Sequence, residues 1–135
     1  MDIRLLLPPL AFFALSGCVT SGAPTDCGES PCAAFDEPFA AGSATITPLE
    51  LLEDSRCPVD AQCVQAGTVR IKAAIERDGR SRDVELELGN ATQALSGTIE
   101  LDRVWPDRVA EDPAIRHGAY RFHFRWTPIL LDAAR

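Results

Sequence analysis

The feature that most constrains the fold of this chain is the alternation of apolar and polar residues in its second half. Between residues 69 and 75 every second residue is apolar, and between residues 120 and 126 four aromatic residues alternate with arginine and histidine. Successive side chains of a β-strand point to opposite faces, so both segments are predicted to be half-buried strands. The residues expected to face the core are Val69, Ile71, Ala73, Ile75, Tyr120, Phe122, Phe124 and Trp126.

Shorter segments with the same alternation predict the remaining strands. Asp78 and Gly79 form a strong hairpin signal before a segment that carries Val84, Leu86 and Leu88. Further strands are predicted at residues 35–39, 45–53 and 98–102, and residues 107–118 are predicted to be a long polar connection. We therefore expect an all-β fold, a small antiparallel β-sandwich or barrel of about six strands.

The first 17 residues have the character of a secretory signal. A weakly positive start precedes a short apolar run that is interrupted by two prolines and is too short to span a bilayer as a helix. The run ends in a segment that resembles the lipobox of bacterial lipoproteins, Leu15, Ser16, Gly17 and Cys18. The resemblance implies a lipoprotein signal peptide over residues 1–17, with fatty acyl chains such as palmitate attached to Cys18. An ordinary signal peptide with an unmodified Cys18 is the alternative.

The residues after Cys18 predict how the protein is held in the cell envelope. Val19 in this position resembles lipoproteins that are sorted to the outer membrane and face the periplasm. Residues 18–34 are rich in Ser, Thr, Gly and Pro, which is typical of a flexible tether, and residues 35–135 are predicted to be the β-domain. The predicted partners are the membrane, through the lipid, and a protein of the envelope.

Four cysteines remain once Cys18 is set aside for lipid. An even number in an exported protein predicts disulfides, and four cysteines allow three connectivities. The two local pairs, Cys27 with Cys32 and Cys57 with Cys63, are favoured, and the second pair would close a corner between two strands within residues 53–67. A four-cysteine zinc site is the alternative. It is disfavoured because Cys57 and Cys63 are separated by more residues than the two to four usual between paired zinc ligands.

The segment around the second cysteine pair resembles a functionally uncharacterised family of small bacterial lipoproteins. In that family a DSRCP…C-V/I-x-A-G segment joins two β-strands, and here the corresponding residues run from Asp54 to Gly67. The likeness extends over about residues 39–127. An aromatic residue often stands in the family where this chain has Gln65. The resemblance implies a β-fold and an envelope location, and it implies no activity.

Charge and motifs restrict the function. The formal net charge of −7 argues against a nucleic-acid partner, because phosphate binding needs a clustered basic surface. No nucleophile elbow, phosphate-binding glycine loop or His-Glu-x-x-His segment occurs. We therefore expect a non-enzymatic binding or structural domain without a cofactor or metal. Its candidate binding loop carries Asp54, Arg56, Asp60 and Gln65. The alternative is a metal-binding or hydrolytic protein that uses His117, His123 and loop carboxylates.

Overall fold

Two antiparallel β-sheets make up the structure, a computed structural model that describes residues 27–111 and 114–130. The first sheet has four strands in the order β1-β2-β3-β4, and the second has three in the order β5-β6-β7. The strands are β1 Phe39–Ala41, β2 Ala44–Asp54, β3 Val69–Arg77, β4 Arg80–Glu87, β5 Ala91–Ala94, β6 Gly97–Trp105 and β7 Arg121–Pro128. A short 3-10 helix, His117–Ala119, precedes β7. The prediction of an all-β fold is confirmed.

The core lies between the two sheets, where the alternating segments predicted it. Every inward residue of β3, from Val69 to Ile75, is fully buried, and so are Ile99 and Leu101 of β6. In β7, which pairs with β6 in the second sheet, Phe122 and Phe124 are almost completely buried, and Tyr120 is buried beside them. The three aromatic residues of β7 and Tyr120, which directly precedes the strand, therefore belong to the core or its border, as predicted.

The two sheets form a sandwich whose edges are joined in places. A parallel bridge between Leu88 and Leu101 connects the end of β4 to β6. At the far end of β3, Arg77 Nη1 donates hydrogen bonds to the carbonyl oxygens of Leu95 and Ser96 in the β5–β6 turn. These contacts join the two sheets. The chain between β2 and β3 lies at the end of the sandwich opposite the β3–β4 turn.

The structure has one strand more than predicted, and the hairpin turns on either side of the two sheets differ in how well they could be predicted. Asp78 and Gly79 both have positive φ angles and connect β3 to β4, as predicted. The strand β5 was not predicted, because Ala91–Ala94 has no apolar alternation. Its connection to β6 is also a tight turn with positive φ angles, but Leu95 and Ser96 occupy it in place of the Gly, Asn or Asp that usually adopt such angles.

The predicted domain boundary and the first predicted strand are wrong. Cys27 and Cys32 are buried, and Ala33 exchanges two backbone hydrogen bonds with Phe122 of β7, so residues 27–34 are part of the folded domain and not a tether. The strand predicted at residues 35–39 begins only at Phe39, because residues 35 and 36 form a turn in which Asp36 has a positive φ angle. The signal peptide, Cys18 and the start of the tether lie outside the described residues.

Both favoured disulfides are present. Cys27 is bonded to Cys32, and Cys57 is bonded to Cys63. The first disulfide is buried beside β7, whereas the second closes the exposed chain between β2 and β3. With the thiols of all four cysteines oxidised, the alternative of a four-cysteine zinc site does not apply to this structure.

Candidate functional site

The chain between β2 and β3, residues 55–68, is here called the disulfide loop. Its base is built on an ion pair between Asp54, the last residue of β2, and Arg56. Arg56 donates from Nε and Nη2 to the two carboxylate oxygens of Asp54, at 2.9 and 2.8 Å. The side chains are only 6% and 12% exposed, respectively. A two-point contact of this kind fixes the orientation of the arginine as well as its position.

Tyr120, which directly precedes β7 of the opposite sheet, adds a hydrogen bond to this ion pair. Its hydroxyl donates to Asp54 Oδ2 at 2.8 Å, so the Asp54 carboxylate joins β2 to the chain that enters β7. Burial acts to raise the pKa of Asp54, but the hydrogen bonds from Arg56 and Tyr120 and the charge of Arg56 outweigh it and hold that pKa below its ordinary value of 3.8. Burial and the bond to Asp54 raise the pKa of Tyr120 to about 12.

Two arginines fasten the disulfide loop to the connection that follows β6. Arg56 Nη1 donates to the carbonyl oxygen of Val104 at 3.1 Å. In the reverse direction, Arg108 Nη1 donates to the carbonyl oxygens of Asp54 and Arg56, each at 3.1 Å. The backbone N–H of Val59 also donates to the carbonyl oxygen of Arg108. The loop and the connection therefore form one hydrogen-bonded unit.

The two ends of the disulfide loop meet at a close backbone contact. Ser55 N donates to the Thr68 carbonyl oxygen, and Thr68 N donates to Ser55 Oγ. A Cβ atom at Gly67 would lie 1.5 Å from the Ser55 carbonyl oxygen, so only glycine fits there. The glycine of the DSRCP…C-V/I-x-A-G segment thus has a structural reason to be a glycine.

The tip of the disulfide loop is exposed, in contrast to its base. The side chain of Val64 is fully exposed, Val59 is 68% exposed, and Gln65 is exposed beside them. Two exposed valines on one short loop leave apolar side chains available for contact with a partner. The loop thus combines a fixed base with apolar side chains at its tip.

The four residues of the candidate binding loop have different roles in the structure. Asp54 and Arg56 form the buried base, which makes them positioning residues rather than contact residues. Asp60 accepts a hydrogen bond from the backbone N–H of Ala110 and holds the tip against the connection. Of the four, Gln65 alone is exposed without such a contact. The exposed Val59 and Val64 were not predicted, although both stand between the cysteines or beside them in the sequence.

The two histidines have separate partners. His117 stacks on Phe35 with ring centroids 4.1 Å apart, and His123 Nδ1 lies 3.1 Å from Asp102 Oδ2. Within residues 27–111 and 114–130, no group of three or more His, Cys, Asp or Glu side chains is arranged to hold a metal ion. No observation in this part of the chain favours the metal-binding or hydrolytic alternative.

An open groove of about 390 Å³ runs along the connection that follows β6. Its lining includes Pro106, Asp107, Val109, Ala114, Ile115 and Arg116. One wall of the groove is the segment that the disulfide loop holds through Arg108 and Ala110. This groove was not predicted, because its residues have neither a motif nor a regular spacing.

Comparison with known proteins identifies no relative. No protein-family model matches the chain, and no curated protein and no solved structure is similar to it. No helix in the described part of the chain has the length and apolar character needed to cross a membrane. The resemblance to small bacterial lipoproteins therefore stays a prediction.

Proposed function

We propose that this chain is a non-enzymatic binding protein of the bacterial cell envelope, held to the membrane by lipid on Cys18. In this proposal the β-domain binds an envelope protein through the tip of the disulfide loop. The observation that carries the proposal is the contrast between the loop's buried base at Asp54 and Arg56 and its exposed tip at Val64.

A firmly held loop is well suited to binding. Association normally costs free energy because side chains and loops lose freedom at the interface, and a loop fixed beforehand loses less. Binding residues are commonly carried on loops that a rigid scaffold positions. Here the disulfide, the Asp54–Arg56 ion pair and the two arginine contacts to the connection all restrain the loop. An apolar tip on such a loop would fill a depression on the partner.

Site-specific photocrosslinking in intact cells tests the proposed surface. A photoreactive amino acid replaces Val64 in one variant and Ser81 in a matched control, since Ser81 is exposed near the opposite end of the first sheet. We expect position 64 to yield a discrete crosslinked protein that is absent with position 81. Equal products at both positions, or none at position 64, would contradict the proposal.

The anchor is tested separately. Three acyl chains on a mature N-terminal cysteine supply more than the single chain that gives only marginal membrane binding. We expect the intact mass of the mature protein to begin at Cys18 and to include the acyl chains, and we expect the protein to fractionate with outer membranes. A Cys18→Ser variant should lose the lipid mass and the membrane association. Unchanged membrane fractionation of that variant would refute the lipid anchor. It would not bear on the binding surface, which the crosslinking experiment tests.

A further inference from the structure

We propose that the groove beside the disulfide loop is a binding site for a zwitterionic aliphatic ligand. The ligand is a free amino acid or a short peptide that carries an α-ammonium group, an α-carboxylate and an aliphatic side chain. This inference deepens the proposed function and rests on it for the view that this end of the domain is a binding surface. It concerns a different ligand class from the loop tip.

The shape and floor of the groove set the size and polarity of the ligand. Its volume of about 390 Å³ falls at the lower end of the range of about 300–1,000 Å³ that is common for small-molecule sites. Val109 is 40% exposed, and Ile115 is half-buried on the same lining. With Pro106 these residues offer an apolar surface that suits an aliphatic side chain.

Two opposite charges on the lining supply the polar recognition. Asp107 and Arg116 both line the groove, and neither makes a side-chain hydrogen bond or an ion pair within the described part of the chain. Asp54, Arg56 and Asp60 at the same end are, in contrast, used in internal contacts. A carboxylate and a guanidinium on one partly apolar lining complement a ligand that carries an ammonium group, a carboxylate and an aliphatic side chain.

The wall that carries Asp107 and Val109 is held in place. The intervening Arg108 donates to the disulfide loop, its carbonyl oxygen accepts from Val59 N, and Ala110 N donates to Asp60. A site whose wall is fixed in this way loses little freedom when a ligand enters. The disulfide loop therefore supports the groove whether or not its tip also binds a protein.

Binding of defined dipeptides to the full-length protein in detergent micelles tests this inference. The probe is valyl-leucine, compared with its N-acetylated form, its C-amidated form and free leucine, and binding is followed by methyl NMR of Val109 and Ile115. We expect saturable shifts at both residues. Removing either charge of the probe should weaken binding about two- to fivefold, as expected for partly exposed ion pairs. Equal affinity for valyl-leucine and free leucine assigns the groove to an amino acid, and tighter binding of the dipeptide assigns it to a peptide end.

Matched variants connect each charge of the probe to its residue. Asp107→Asn should abolish the effect of N-acetylation and Arg116→Gln the effect of C-amidation, whereas Glu76→Gln and Arg80→Gln, exposed at the opposite end, should change neither. Because neither groove side chain has a partner among the described residues, these variants are expected to fold. Binding that neither N-acetylation nor C-amidation of the probe weakens, or the absence of saturable shifts at Val109 and Ile115, overturns the inference. Crosslinking at Val64 without dipeptide binding would overturn this inference alone, and the reverse result would overturn the proposed protein partner alone.

Discussion

At the scale of single residues, Asp54 shows how burial and pairing compete. Its carboxylate is taken out of water, which by itself favours the neutral form, yet three donor groups on Arg56 and Tyr120 stabilise the charge. Removing one partner of such a pair leaves the other charge buried without compensation. The resulting loss of folding free energy is larger than the net contribution of the intact pair to stability. The two residues therefore matter for stability although neither is in the hydrophobic core.

We predict that Asp54→Asn lowers the free energy of unfolding by about 3 kcal/mol, the cost typical of breaking a buried ion pair. Urea denaturation measures this change. Asp83→Asn is the matched control, because Asp83 is 54% exposed and its contact with Lys72 should contribute less than about 1 kcal/mol. Equal losses in both variants would show that the Asp54 pair is no different from a surface pair.

The same pair predicts a pH dependence. The pKa of Asp54 is lower in the folded than in the unfolded protein, so the stabilisation is present above the unfolded value of 3.8 and is lost as pH falls through the folded value. We expect the stability difference between the wild type and Asp54→Asn to shrink below about pH 3.8. A difference that stays constant down to pH 2 would contradict the role assigned to the Asp54 carboxylate.

Tyr120 offers a spectroscopic test, since it is the only tyrosine in the chain. We predict that absorbance at the phenolate wavelength reports a midpoint near pH 12 in the folded protein. Because the folded pKa lies above the ordinary value of 10.0, the stabilisation is complete below pH 10 and is lost between pH 10 and 12. A midpoint near 10 in a protein that is still folded by circular dichroism would refute the bond to Asp54. In Tyr120→Phe the absorbance change should be absent.

At the scale of elements, the disulfide loop depends on its closing glycine as well as on its disulfide. We predict that Gly67→Ala destabilises the protein by more than about 2 kcal/mol, because the new Cβ atom would overlap the Ser55 carbonyl and separate the two ends of the loop. Gly118→Ala is the control, because a Cβ atom there meets nothing within 4 Å and needs no positive φ. Thermal unfolding of the two variants measures the difference, and similar melting temperatures would contradict the close contact at Gly67.

The elements also show what the sequence could predict. The alternation of β3 and β7 is regular and predicted both strands and their inward faces. The strand β5 was missed because four residues without apolar alternation become a strand only through pairing with β6. In the same way, the contact of Asp54 with Tyr120, 66 residues away in sequence, depends on how the two sheets pack. The cysteine pairs could be predicted because each is local, whereas the groove arises from contacts between distant segments.

At the scale of the whole molecule, the two ends of the sandwich differ. One end has tight two-residue turns at Asp78–Gly79 and Leu95–Ser96. The other carries the disulfide loop, the groove and the connection after β6, all joined by the contacts of Arg56 and Arg108. The hydrophobic core is connected to this end through Tyr120, which donates to Asp54. Binding is therefore expected to be sensitive to residues that are nearly irrelevant to stability, and Val64 is the clearest of these.

The most direct test of this separation is the yield of the envelope crosslink in a Val64→Asp variant. The photoreactive residue is placed at Gln65, and Ser81→Asp serves as the control. Because Val64 is fully exposed, its replacement should leave the melting temperature unchanged. A charge buried against the partner should lower the crosslink yield at least about tenfold, while Ser81→Asp leaves it unchanged. An undiminished yield from Val64→Asp would contradict the claim that the tip of the disulfide loop is the binding surface.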